Sequence, residues 1–365
     1  MKVVAAMSGG VDSSVAAALL KEEGYQVIGI TMQVWPSDRL GDEDEGSGGC
    51  RGVGAVVDAK RVACRLGIPH YVANFRDVFA RKVVDHFCHE YSLGRTPNPC
   101  IRCNQFIKFD SLLGKAKELD AGFVATGHYA RIEKGDNGSR YLLKKGVDSR
   151  KDQSYFLYVM NQEQLSHSLF PLGNITKERV RRMAEEFELP VTDKPESQDI
   201  CFIPGNDYTE FLKEYVADTV KPGQILDRQG NFLGEHRGII HYTIGQRKGL
   251  SISAGEPLYV VAIDHEENTV IVGGKHEVYG MGLIASEINW IAMEAPEQPV
   301  NVSARIRYLH REAAAVVTPL EEGRAQVKFE EPQMAITPGQ AIVFYDGDTV
   351  IGGGSIESVE GENTR

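Results

Sequence analysis

Long apolar runs are missing from this chain of 365 residues. Runs such as Val3 to Met7 and Leu258 to Ile263 fall far short of the roughly 18 residues a membrane-spanning helix needs, so no segment is expected to cross a bilayer. No secretory leader is expected either: only the five apolar residues Val3 to Met7 lie between Lys2 and Ser8-Gly9-Gly10, less than the apolar core of a signal peptide. Cysteine is scarce. Six thiols are too few for a disulfide framework at this length, which points to a reducing cytosol and leaves each thiol to burial, metal binding or catalysis. Positive charge is in the minority, 40 basic against 51 acidic residues for a net charge of −11, and this bulk balance disfavours nonspecific nucleic-acid binding. Local strips run the other way at Lys144-Lys145, Arg150-Lys151, Arg179 to Arg182, Arg247-Lys248 and Arg305 to Arg311.

What is present is a globular composition, 42% apolar and 25% charged, long enough for two or three domains at roughly 100 to 200 residues each. From residue 1 to 206 strands and helices alternate: a strand Val3 to Ala6, a helix Asp12 to Glu23 ended by Gly24, a strand Val27 to Met32, a helix from Val53 to Leu66 ended by Gly67. A short strand His70 to Val72, a strand Phe123 to Thr126 and a helix Thr176 to Phe187 follow. This order predicts an α/β fold with a doubly wound parallel sheet, of the kind that binds nucleotides. After Asp207, which with Glu210 suits a capping box for a helix to Tyr215, glycine turns divide short β-like runs. Residues 207–280 read as a small β-rich domain in which Tyr259 to Ile263 pairs with Val270 to Val272. Residues 281–365 carry the runs Val302 to Ile306, Ala314 to Thr318, Gln326 to Phe329 and Ala341 to Tyr345. These fit an antiparallel barrel or sandwich, and the barrel is the expectation. Asp38 to Gly54, rich in Gly, Asp and Glu, reads as a mobile surface loop.

The strongest chemical signal is Ala6-Met7-Ser8-Gly9-Gly10-Val11-Asp12-Ser13-Ser14, a glycine turn between the first strand and first helix. Glycines admit a phosphate close to the backbone, the helix start offers N–H groups, and Ser8, Ser13 and Ser14 add hydroxyls. No lysine follows at Walker spacing, and the third glycine of a dinucleotide fingerprint is absent. Asp12 would repel bare phosphate, so a magnesium-bound nucleotide is expected. The second signal is Cys100-Ile101-Arg102-Cys103, with Cys201 far downstream. Such a pair serves as a zinc half-site, Fe–S ligands or a redox couple, and no second Cys-x-x-Cys completes a closed zinc site. A Cys103–Cys201 disulfide would be catalytic and transient in a reducing compartment. Gly280-Met281-Gly282-Leu283-Ile284-Ala285 fits a loose nucleotide pattern but lies among β-like runs, and we set it aside.

The turn resembles the pyrophosphate loop of the ATP-pyrophosphatase superfamily. With Gly29 to Met32, Gly94 to Pro99, Ala125 to Arg131, Lys151 to Phe156, Ser197 to Phe202 and Tyr242 to Gly249, almost the whole chain resembles the tRNA-specific 2-thiouridylases. That resemblance implies an ATP-dependent enzyme that replaces the 2-oxygen of the wobble uridine by sulfur. It assigns ATP to Ala6, Met7, Ser8, Gly9, Gly10, Val11, Asp12, Ser13, Met32 and Gly127. Cys103 would be the nucleophile and Cys201 the persulfide carrier. Asn98, Pro99 and Cys100 would lie at the target base, and His128, Lys151, Asp152, Gln153, Arg307, Tyr308 and Gln340 along the tRNA. A sulfur donor such as a cysteine desulfurase or relay protein is implied, and no membrane partner. Many members of the family have Asp where this chain has Cys100. Cys100, Cys103 and Cys201 would also suit three corners of a [4Fe-4S] cluster with one iron open to sulfide, so persulfide relay and cluster both stand, and the third thiol tips the expectation towards the cluster. Other ligases with the same loop, such as amidating or argininosuccinate-forming synthetases, would not need paired thiols, and a non-catalytic Fe–S or RNA-binding module would not need the loop.

Overall fold

The computed structural model describes residues 1–34, 52–135, 138, 140–196, 200–203, 207–216, 220–252 and 255–360. The expected acidic loop lies outside them up to residue 51, as do Ser197 to Asp199 of the downstream cysteine motif and the chain end after residue 360. The loop reading fails at its far end, because residues 52–54 already belong to a helix. The chain forms two compact units, one of Met1–Val83, Pro99–Asn206 and Asp348–Val350, the other of Val84–Asn98, Asp207–Gly347 and Ile351–Arg365.

The first unit opens with β1 (Lys2–Ala6), α1 (Val11–Glu22), β2 (Gln26–Gln33), α2 (Gly52–Leu66) and β3 (His70–Asn74). It continues through β4 (Phe123–Ala125), the hairpin β5 (Ala130–Lys134) and β6 (Tyr141–Lys145), and β7 (Ser168–Leu169). The sheet order β3-β2-β1-β4-β7 is parallel throughout. Val3 and Val15 are fully buried and Ala16, Ala17 and Ala18 nearly so. These small side chains let α1 lie close on the sheet, and burying each valine contributes about 1.5–3 kcal/mol. Strand order reverses between β1 and β4, and in such sheets the crevice beyond the carboxyl ends at that point is where ligands sit.

In the second unit β8 (Gly223–Asp227), β9 (Phe232–His236), β10 (Tyr259–Asp264) and β11 (Thr269–Gly273) make a mixed sheet ordered β10-β11-β8-β9. The expected pairing of β10 with β11 is there, antiparallel, with Val260 opposite Val272. Then β12 (Tyr279–Trp290), β13 (Val300–Arg305), β14 (Ala313–Pro319), β15 (Ala325–Met334), β16 (Ala341–Asp346) and β17 (Thr349–Val359) form a barrel. Its order is β12-β15-β14-β13-β16-β17, closed by antiparallel β12 on β17. Alternate residues such as Ala325, Val327 and Phe329 point inward, where Val317, Ile342 and Phe344 meet them. Closure joins the first and last strands, so barrel and sandwich share one local pattern. The set-aside glycine string lies inside β12.

Unforeseen from sequence, residues 84–98 join this second unit. The helix Asp85–Ser92 sets Phe87 and Tyr91 against Phe211 and Tyr208 of the helix Tyr208–Tyr215, at ring separations of 6.4 and 5.2 Å. Beyond it Thr96 donates its N–H to Pro338 O (2.9 Å) and accepts at its carbonyl from Gln340 Nε2 (2.6 Å). Gly339 between these partners has φ +87°, and a Cβ there would stand 2.9 Å from Thr96 N. We expect Gly339→Ala to cost about 1–3 kcal/mol through the left-handed backbone and the clash together. Urea unfolding followed by tryptophan fluorescence would read this, and an unchanged midpoint would contradict it.

Candidate active site

The end of β1 enters the glycine turn with Met7 N–H donating to Ile30 O (2.8 Å). Gly9 has φ +71°, and a Cβ on it would collide with the Ala55 carbonyl oxygen, so no other residue fits. Gly10 is the N-cap of α1 and supplies no side-chain cap, which leaves the first-turn N–H groups to backbone geometry and any incoming anion. Ser13 Oγ accepts from Ser8 N (3.2 Å) and donates to Gly10 O (3.1 Å), and Ser14 Oγ donates to Gly10 O (2.7 Å). Ser14 is fully buried, so its hydroxyl fastens the turn and is not one of the expected phosphate donors. Ala6, Met7, Val11 and Met32 are buried at the strand ends and helix start, where they can offer backbone rather than side-chain polarity.

Gly127 follows β4, across the switch point. A Cβ there would lie 2.8 Å from both Asp12 C and Ser13 N, so the glycine brings the end of β4 against the first turn of α1. Two residues on, Tyr129 OH donates to Asp12 Oδ1 (2.7 Å). Burial, then the Asp12 charge, push that phenol far up, and it stays a donor. Both Asp12 oxygens also accept from Lys177 Nζ at 2.7 Å. Sequence reasoning missed Lys177, which is the first residue of the helix Lys177–Glu186 and far from the turn in the chain. Its backbone N–H is held by Asp148 Oδ2 (3.0 Å). Glu196 accepts from Lys151 (2.6 Å) and lies 3.5 Å from Lys177 and 3.6 Å from Arg181. Lys194 joins Asp58 (2.8 Å) to the Gly9 carbonyl (3.1 Å). The repulsion that called for Mg²⁺ is therefore absent: Asp12 is already countered by an ammonium. A magnesium ion held by this carboxylate does not fit the arrangement, and no step is drawn through one.

Cys100 and Cys103 sit on one helical run. Cys100 lies in the turn Pro99–Arg102 and is exposed, and Cys103, half-buried, starts a π-helical stretch Cys103–Ser111. Such stretches are rare and favour functional sites. Asn104 is buried and its amide donates to Phe156 O (3.0 Å), tying this stretch to the Lys151–Phe156 string. Cys201 is half-buried while Phe202 beside it is buried edge-on to Phe79 at 5.7 Å, so the thiol is not the apolar filler its neighbours are. No disulfide joins Cys64, Cys88, Cys100, Cys103 or Cys201, so the expected bridge is not formed. Among the described residues no group of three His, Cys, Asp or Glu could hold a metal ion.

The expected tRNA residues divide sharply. His128 is 8% exposed, between Phe109 and Phe170. Burial and then Lys108 hold its imidazole well below the usual range, so Nε2 accepts from Lys108 (3.3 Å) while Nδ1 donates to Thr126 Oγ1 (2.7 Å). A ring so covered offers no stacking face. Asp152 is buried and accepts from Gly146 N and Ser154 N, both at 3.1 Å, and Gln153 Oε1 accepts from Tyr129 N (3.0 Å). In the second unit, Arg307 donates to Met334 O (3.1 Å) and Gln340 to Thr96 O (2.6 Å). Pro99 is buried; Lys151, Asn98 and Tyr308 are partly exposed.

A parallel α/β unit with a glycine turn at its switch point, followed by β-rich segments ending in a closed barrel, defines the class. Residues 1–205 match the model of the tRNA methyl transferase HUP domain, 209–274 that of the tRNA methyl transferase PRC-barrel domain, and 281–356 that of the aminomethyltransferase β-barrel domain. The chain is 55% identical to a tRNA-specific 2-thiouridylase of Acetivibrio thermocellus, over 98% of this chain and 99% of the relative. It is 56% identical to one of Caldanaerobacter subterraneus subsp. tengcongensis over 98% of each, and 54% identical to one of Heliobacterium modesticaldum over 97% of this chain and 92% of that one. The chain belongs to the tRNA-specific 2-thiouridylase family.

Glu196 gives the network a pH signature. Burial opposes its charge, but Lys151 and Lys177 outweigh that and hold its carboxyl below the ordinary value of 4.5. A depressed carboxylate stabilises the fold above its unfolded pKa and loses that contribution as pH falls through the folded one. Glu196→Gln should therefore lower stability at pH 7 and leave it unchanged in strong acid, so thermal midpoints of variant and wild type converge below about pH 4. A constant gap across pH 3 to 7 would count against the network.

Proposed function

We propose that the protein is an ATP-dependent tRNA-uridine 2-sulfurtransferase that adenylates the 2-oxygen of a wobble uridine and displaces AMP with sulfur. One observation carries the reading: within a single unit, a glycine turn at the switch point of a parallel sheet accompanies two partly exposed thiols, Cys103 and Cys201. The family membership supports it, because the relatives are named tRNA-specific 2-thiouridylases. The division into residues 1–206, 207–280 and 281–365 belongs to the same proposal, supported by the segments that three family models match.

The chemistry is balanced as follows. The uracil 2-oxygen attacks the α-phosphorus of ATP, an O–P bond forms and pyrophosphate leaves; oxide, a poor leaving group, has become AMP. A persulfide on Cys201 attacks C2 with its terminal sulfur, and AMP departs with the oxygen. Cys103 thiolate then opens the sulfur–sulfur bond at Cys201 Sγ, which leaves the thiocarbonyl on the base and a transient Cys103–Cys201 disulfide for a small thiol to reduce. The turn and α1 start orient the phosphates, and Asn98, Cys100, Lys151 and Tyr308, each at least partly exposed, are assigned to meet tRNA. A sulfur donor protein loads Cys201, and a cytosolic setting fits thiols that form no disulfide. Among the described residues, no helix is long and apolar enough to cross a membrane.

With ATP, tRNA and a persulfide donor, wild-type protein should release AMP and form 2-thiouridine. Cys103→Ser and Cys201→Ser should each abolish 2-thiouridine, and Asp12→Ala should abolish AMP release. Wild-type protein that releases no AMP in the presence of tRNA refutes the assignment. Anaerobically purified protein should be colourless and active without iron, and Cys100→Asp, which supplies the carboxylate common in relatives, should retain activity. Visible absorption that tracks activity would return the cluster.

A further inference from the structure

The cation that Asp12 holds is not explained by folding alone. A carboxylate in the first turn of a helix is already favoured by the helix dipole, and Tyr129 donates to it. Yet Lys177 puts its ammonium on both oxygens, with its side chain only 10% exposed and Asp12 34% exposed. Lys151, Lys177, Arg181 and Lys194 stand among the carboxylates of Asp12, Asp58 and Glu196, with Asp148 on the Lys177 backbone N–H. Of these cations Lys177 is the one held on the first turn of α1, where the turn and helix start would take an anion.

We propose that Lys177 is the positioning cation for the β- and γ-phosphates of the nucleotide, kept in place by Asp12 until they arrive and then shared with them; this rests on the function proposed above. Three features fit it for the exchange. Its backbone is fixed by Asp148 and by the Thr176-capped helix, so only the flexible side chain has to move. Its ammonium lies 5.9 Å from the centre of the Tyr129 ring, which offers a second favourable site as it turns. Tyr129 keeps its hydrogen bond to Asp12, so the carboxylate is not abandoned when Lys177 leaves it. As the α-phosphorus to bridging-oxygen bond breaks, negative charge gathers on the departing pyrophosphate, and a fixed ammonium stabilises that charge. Lys194 is the weaker candidate because the Gly9 carbonyl and Asp58 already occupy it.

The test compares the two products as inhibitors of tRNA-dependent turnover. In Lys177→Gln the inhibition constant for pyrophosphate and the KM for ATP should each rise at least ~10-fold, while the constant for AMP, which lacks the distal phosphates, stays within about twofold. Lys177→Arg keeps the charge and should restore most of kcat with a smaller, still selective loss for pyrophosphate, and it carries the test alone if the glutamine variant does not fold. Equal losses for AMP and pyrophosphate, or none, would overturn the proposal and assign the lysine to structure. Wild-type protein without AMP release would instead refute the function on which it rests.

Discussion

The close approach of β4 to α1 is the constraint on which the first unit is organised. Gly127 has no Cβ because the backbone of Asp12 and Ser13 occupies its place. Once the strand end is there, Tyr129 reaches Asp12, Gln153 holds Tyr129 by its N–H, and Asp152 ties the following turn to Gly146 and Ser154. Lys177 closes the loop from the other side, between Asp12 and Asp148. Strings that look unrelated along the chain are thus one hydrogen-bonded assembly around a helix start. Each buried member would leave a partner unsatisfied if lost, at about 1–3 kcal/mol per orphaned group.

The same economy shows in the second unit, where a side chain suited to RNA by type is committed to backbone. Gln340 and Pro338 grip Thr96, Arg307 bonds the Met334 carbonyl, and Gly339 permits the close crossing. A residue can occupy a motif because it supports the residue that makes contact. Arg307 holds the Met334 carbonyl, so a variant there would disturb packing as well as charge.

Much of this was legible in the sequence where local pattern and physics agree. The alternation of strand and helix, the helix stops at Gly24 and Gly67, the cap at Asp207 and the β10–β11 hairpin all depend on near neighbours. So did the glycine turn. What could not be read depends on distance in the chain. Lys177 looks like any solvated helical lysine until the fold carries it to Asp12, and residues 84–98 give no local sign that they pack with the later unit. Barrel closure by β12 on β17 is a pairing of strand ends with no short-range signal. His128 suits stacking by type, and its burial beside Phe109 and Phe170 is a tertiary fact. The one available hint was its place directly after a strand and Gly127, where side chains commonly turn inward.

The arrangement of thiols bears on chemistry through what each mechanism demands at one instant. A cluster needs three thiolates gathered around a single inorganic core before any substrate arrives, and that gathering is a property of the resting protein. Cys100 and Cys103, three positions apart on a helical run, lie on neighbouring turns, and among the described residues no group of three such ligands is placed to hold a metal. A relay makes a weaker demand. Its sulfur carrier must first be reachable by a donor, and only after the substrate is activated must a second thiol reach the first. Partly exposed Cys201 and Cys103, neither in a resting disulfide, meet the first condition. The second is a condition on the loaded enzyme, set by how far the two thiols can approach once the substrate is activated.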